Sequence, residues 1–458
     1  MKKYSFALLL LVLGIILVVF TEAKRPSLHW TWQRSLPVDP ASMRIDQIGG
    51  TEARAFAVMN GKLYAAIGYW MDSLQDDPHL PGAQVLVKES ANTAWHVDLQ
   101  LDQRQPNGKR TFFAIASLAA VTFDRDIHLR TLASPVTMLA AGVWRRGLGL
   151  DVFTRSDTDT SWHRKEIQQP DESEQGAQVR AFIAYTDKVS GHRMLFAGAT
   201  NAIFTAEYDD QSPGHLHWNA APEVWPGAGG PAGARNRVLS FAECNGKLYA
   251  TVGDGVYERR DGMTSSWVKV LTVPIQSNGA GVSGIRGATT VDNPSGTGQS
   301  LLLGLEDNPA KILRFDPQTD SLLTELNVAE FLTKQFGSHT GYAITAYNGM
   351  AAYPDPESGK QLYLIGFEAI SHQYPRTFGH QYLVADAHFL IRKSTGVYEL
   401  RKIEDLSISP APSLVATRTM IVSPFADDPP GTIYAGGFDC NKNSVHNSAW
   451  IYRGVLIQ

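Results

Sequence analysis

Short apolar runs recur along the chain, broken by Gly, Asn, Asp and Pro. "RVLSFAE" from Arg237 is one, and "GKLYATVG" follows it after an Asn-Gly pair. Asn-Gly between two such runs is a strong hairpin signal. "GVYERRDG" then alternates apolar and polar positions, and "SSWVKVL" closes the group. Runs of this length bounded by turn residues predict strands, so the group predicts four antiparallel strands.

The same pattern returns along the chain. Unit one opens with "RAFAVMN" and "GKLYAAIG", unit two with "RTFFAIAS" and "VTMLAAG", and unit three with "RAFIAYT" and "RMLFAG". The Cys244 region is unit four. Unit five opens with "RGATTV" and "SLLLGLE", unit six with "YAITAYNG" and "KQLYLIGFE", and unit seven with "RTMIVSP" and "TIYAGGFD". That makes about seven units of roughly 50–75 residues. A lone four-stranded sheet cannot cover both faces, but radial stacking covers them all. The expected fold is therefore all-β: a seven-bladed β-propeller of four-stranded antiparallel blades. Unit seven lacks a fourth strand. "LHWTWQRSLPV" from Leu28 resembles the fourth strands of other units. Trp30 to Leu36 is therefore expected to complete the last blade and close the ring, removing two open edges.

The N-terminus reads "MKKYSFALLLLVLGIILVVFTEA", with a basic start, an apolar run and small residues at Thr21 and Ala23. This is the pattern of an export signal, and the run is long enough that an uncleaved membrane anchor stays open as well. Residues 1–23 are read as that signal or anchor, and residues 24–458 as a single propeller domain. The body is expected to be secreted, periplasmic or anchored to a membrane only through this segment, and to be a monomer. The net charge is -4 and 19% of residues are charged, which argues against nucleic acid as a partner. Cys244 and Cys440, the only cysteines, fall on opposite faces of the expected ring, so no bridge is expected. No cofactor fingerprint stands in usable context and no metal-ligand spacing is present, so neither is expected.

Three turns before fourth strands read "ESANTAW" from Glu89, "SDTDTSW" from Ser156 and "RDGMTSSW" from Arg260. They resemble degenerate copies of the Asp-box, a Ser-x-Asp-x-Gly-x-x-Trp turn of sialidase-like propellers. The resemblance implies that fold. It implies a structural role for these turns, away from any active site.

In such a ring the first strand of each blade lines the channel. Arg54, Arg110, Arg180, Arg237, Arg286 and Arg418 each stand at or just before a first strand, with Tyr342 at the matching place in unit six. Repetition should gather them around the channel mouth. Guanidinium groups stay ionised and need countercharge. Glu306, Glu368 and Asp439 lie where second strands end and could supply it. Two readings follow: a ring of structural ion pairs, or a site for an anionic ligand held by some of the arginines. His372, His380, Tyr69 and Trp70 lie in long loops on the elaborated face and complete the candidate binding set. The leading expectation is an exported propeller that binds an anionic small molecule, acidic glycan or protein on that face. One alternative is a glycoside hydrolase or lyase acting on acidic sugars, with Glu306, Glu368, Asp439 and Tyr342 as catalytic candidates. Another is a structural protein-interaction module.

Overall fold

In the computed structural model, residues 28–457 are described except for 37–47, 70–74, 148, 168–177, 201, 224–236, 277–283, 348, 372–386, 408–413, 415 and 439–448. Strands dominate, and every pairing is antiparallel. Unit one pairs Glu52–Met59, Lys62–Gly68, Ala83–Lys88 and His96–Leu101 in sequence order. Units two to five repeat this order. Unit six splits its first strand into Thr340–Thr345 and Ala351–Pro354, both paired with the long second strand Gln361–Ser371. In unit seven, Ala416–Val422, Ile433–Phe438 and Trp450–Leu456 are completed by Trp30–Arg34, in register from Trp30↔Leu456 to Arg34↔Tyr452. The N-terminal strand thus closes the last sheet.

The first strands pack against one another around a closed circuit, unit seven returning to unit one. Main-chain links join successive units. Tyr69 N–H bonds Phe113 O, Val238 N–H bonds Ala199 O, and Ile285 N–H bonds Gly253 O. Glu306 pairs with Ile344, and Glu52 with Phe438. The architecture is a β-propeller.

Its core is a chain of clusters, each shared by two neighbours. Tyr64 and Val85 of unit one meet Phe112 and Leu139 of unit two. Tyr434 and Ile451 of unit seven meet Ile67 and Leu86 of unit one. A middle strand is therefore covered on both faces, which is why Ala83–Lys88 is buried throughout. Neighbouring units come close enough to require glycine. A Cβ at Gly366 would lie 2.3 Å from Thr417 O of the next unit. The recurring "AIG", "AAG", "FAG" and "LIG" endings of second strands carry this contact.

The three turns resembling Asp-boxes lie between third and fourth strands, and each tryptophan ties its unit to the one before. Trp162 Nε1 donates to Asp98 at 2.9 Å, Trp267 Nε1 to Glu223 at 3.0 Å, and Trp95 Nε1 to Ser35 at 3.0 Å. Two features depart from the sequence reading. Phe112–Arg125 and Thr131–Arg145 form a longer hairpin than the short strands expected. The insertion after unit five holds a helix, Val328–Phe336. Asn327 caps it by accepting from Glu330 N–H, Gly337 ends it at φ 65°, and Val328, Ala329 and Leu332 are its buried face.

Candidate functional site

The channel is organised by bulges. In the first strands, the ladder skips one residue around Arg54, Ala116, Leu239, Arg286 and Arg418. A bulge leaves its extra residue unpaired and re-aims its side chain. Arg180 and Tyr347 hold the same level in units three and six. Arg180 N–H bonds Gly198 O at 2.8 Å, and Ala346, just before Tyr347, bonds Gly366 O at 2.9 Å. One circuit thus carries Arg54, Ala116, Arg180, Leu239, Arg286, Tyr347 and Arg418.

Four of the six expected arginines stand in this circuit. Arg110 does not: it lies before the bulge, and its guanidinium instead bonds the main chain of Gln75, Asp77 and Leu80. It also lies over the Tyr69 ring, at 5.6 Å. Tyr69 is fully buried and donates to Pro81 O, so its ring is not free for a ligand. Arg237 comes two residues before the bulge residue Leu239. Tyr342 is not the matching residue of unit six; Tyr347 is. Tyr342 donates instead to Glu306 Oε1 at 2.5 Å. Trp70, His372, His380 and Asp439 lie outside the described residues, as does Cys440. Cys244 is buried, and burial pushes its thiol up to about 12. Among the described residues no group of His, Cys, Asp or Glu is placed to hold a metal ion.

The countercharges are unevenly spread. Glu52 has a fully buried side chain and bonds Arg418 of unit seven, with Arg54 Nη1 3.0 Å away. Burial opposes its charge, but Arg418 and Arg54 hold its carboxyl below the usual range. Arg54 is drawn down to about 10, because burial and the like charges of Arg418 and Arg286 outweigh Glu52. Arg286 Nε meets Glu306 at 2.9 Å. Tyr347 donates to Glu368, and Arg418 stacks 3.8 Å above the Tyr347 ring.

Arg180 is different. It is 7% exposed, its Nε has no hydrogen-bond partner, and among the described residues no carboxylate is in ion-pair contact with it, although its charge adds to those that hold Glu52 down. Burial and the charges of Arg237, Arg54, Arg286 and Arg418 push its pKa far down. The sequence explains the difference. Unit one reads Glu52-Ala53-Arg54, whereas unit three reads Gln178-Val179-Arg180. A neutral amide stands where unit one has its carboxylate, and Gln178 Oε1 is itself buried without a partner.

A cavity of about 240 Å³ opens beside this circuit, lined by Arg54, Arg180, Arg418 and Tyr347 at one level and by Phe56, Phe182, Phe241 and Met420 at the next. Side chains on a strand face recur every two residues, which sets the second level two residues beyond the first. This is the direction of the tight first-to-second-strand turns, not of the elaborated face where a site was expected. Glu52, Glu306 and Glu368 do not line it. Each is held instead by an arginine or a tyrosine.

Glu368 should give the channel a measurable pH response. Burial lifts its carboxyl from 4.5 to about 7, with Glu306 adding to the rise against Tyr347, Arg418 and Arg286. The folded chain then keeps a proton that the unfolded chain releases. This contribution to stability is complete below about 4.5 and is lost as pH rises to about 7. Glu368→Gln should flatten the slope of unfolding free energy over that window, measured by urea melts from pH 4.5 to 8. An unchanged slope would show that Glu368 titrates normally.

No protein-family model matches the chain, and no curated protein matches it. Among solved structures, an extracellular domain from B. thetaiotaomicron is 11% identical with a TM-score of 0.48, over 92% of this chain and 40% of that one. This chain therefore spans about 40% of the length of that protein. An α-L-arabinofuranosidase from Fusarium graminearum is 10% identical with a TM-score of 0.41, over 93% and 97% of the two chains. A β-propeller domain from Myceliophteria thermophila is 12% identical with a TM-score of 0.43, over 90% and 98%. No residue role passes from them to this chain.

Proposed function

We propose that this chain is an exported, seven-bladed propeller that binds an anionic ligand in its central channel, with Arg180 as the principal contact. One observation carries the reading: Arg180 is a buried cation with Gln178 where unit one has Glu52. A buried charge without a partner is costly, and an incoming anion relieves that cost. Arg54 and Arg418 border the same cavity, but they share Glu52 and are committed to it. The apolar N-terminal run supports export. The hydrolase or lyase reading is weaker, because Glu306 and Glu368 are engaged away from the cavity and a paired acid and base must face a substrate. The structural-module reading leaves Arg180 without a purpose.

The test is thermal stability in increasing acetate or sulfate. Wild type should gain stability, with a gain that shrinks as sodium chloride rises. Gln178→Glu should supply the missing countercharge, raise the basal Tm and abolish the anion response. Arg180→Met should do the same by removing the charge. If wild type shows no anion-dependent shift, or if Gln178→Glu keeps it in full, the reading is wrong.

A further inference from the structure

The channel's second level bears on what the anion is attached to. Two residues beyond Arg54, Arg180, Leu239 and Arg418 stand Phe56, Phe182, Phe241 and Met420. Leu118 and Met350 join them on the cavity wall. The cavity therefore has a cationic end and an apolar end. Its few hydroxyls are largely committed: Ser117 Oγ donates to Val179 O at 2.8 Å, and Tyr347 donates to Glu368. A polyhydroxylated body would leave its own hydroxyls unpaired there, which costs binding. An apolar body would instead be removed from water against aromatic rings and adaptable methionines. Of the three arginines on the wall, Arg54 and Arg418 share Glu52 and only Arg180 has no carboxylate in ion-pair contact, so the wall keeps an excess of positive charge centred on Arg180. The volume, about 240 Å³, falls below the roughly 300–1,000 Å³ of pockets for drug-sized ligands.

We infer that the ligand is a small organic anion with an apolar body, an aliphatic or aromatic carboxylate or sulfonate. Its charged head meets Arg180 and its body lies among Phe56, Phe182, Phe241 and Met420. This rests on the reading of the channel as an anion site, and it narrows the ligand away from acidic sugars.

Calorimetric titration at fixed ionic strength with acetate, hexanoate, phenylacetate, glucuronate and benzyl alcohol tests it. Hexanoate and phenylacetate should bind at least tenfold tighter than acetate, a gain of roughly fourfold for each methylene buried. Glucuronate should bind no tighter than acetate, and benzyl alcohol should not bind detectably. Phe182→Ala should erase the advantage of phenylacetate and leave acetate unchanged. Should that variant not fold, the wild-type ligand series decides alone. Equal affinity for acetate and phenylacetate would overturn the apolar body and leave the anion site standing. Glucuronate as the tightest ligand would overturn it in favour of a sugar acid. Benzyl alcohol binding as well as phenylacetate would overturn the charged head. Binding by none of the probes would remove both readings.

Discussion

Trp30→Ala and Trp32→Ala are each expected to lower folding stability by about 3–5 kcal/mol, the cost of emptying a large aromatic site in a core. Both indoles belong to the terminal strand and are 8% exposed. Trp30 meets Tyr353 and Phe389 edge-on, at 5.7 and 5.9 Å, and donates to Gly431 O at 3.0 Å. Trp32 meets Phe389 at 6.0 Å and covers Gly454. These are contacts across the junction of units six and seven, so losing them loosens the closure and not one sheet alone. Deleting Lys24 to Pro37 should do more, since it also uncovers the edge of Trp450–Leu456. Urea unfolding is the measurement. A loss below about 1 kcal/mol for either tryptophan, against the usual core range, would mean that the strand is not what holds the ring shut.

The second large effect concerns Glu52. Glu52→Ala should cost roughly 3–5 kcal/mol, because removing one partner of a buried pair strands the other. Two cations would be stranded here, Arg418 and Arg54, in a channel that already holds Arg180 and Arg286. Glu52 has its carboxyl lowered by the fold, so its stabilisation is present above its unfolded value of about 4.5 and is lost as pH falls through the lower folded value. Wild type should therefore lose stability on the acid side more steeply than Glu52→Ala. Anions should stabilise the variant more than wild type, since it has more unmet charge. Equal stability of the two proteins at pH 7 would show that Arg54 and Arg418 do not depend on Glu52.

Much of the fold was legible because a propeller repeats its instructions. Each unit restates the same alternation and the same turns, so an error in one is corrected by the others. The terminal strand could be found because "HWTWQR" has the form of the other fourth strands. The helix at Val328–Phe336 lies outside the repeat, although Asn327, Glu330 and Gly337 mark its two ends. It occurs once, and a search for repeats passes over it. The site was only partly legible. Arg54, Arg180, Arg286 and Arg418 stood out because they recur at one step. Arg110 and Arg237 share that step only when it is counted from the apolar onset of each strand. The physical reference is the bulge, which the ladder reveals and the sequence does not. Tyr347 is hidden in the sequence for the same reason: unit six breaks its first strand just there. The contrast between Gln178 and Glu52 was open to view once Arg54 and Arg180 were aligned.

The ring closure also sets a schedule for synthesis. Thr31 and Val455, hydrogen-bonded in the finished sheet, are 424 residues apart. At about 5–20 residues per second the first strand waits roughly 20–85 s for its partner to be made. Throughout that wait two indoles and an open strand edge are offered to any other chain nearby. The segment that locks the finished ring is the first part of the domain to be made and among the last to find its place, so the nascent chain is most in need of a chaperone at its oldest end.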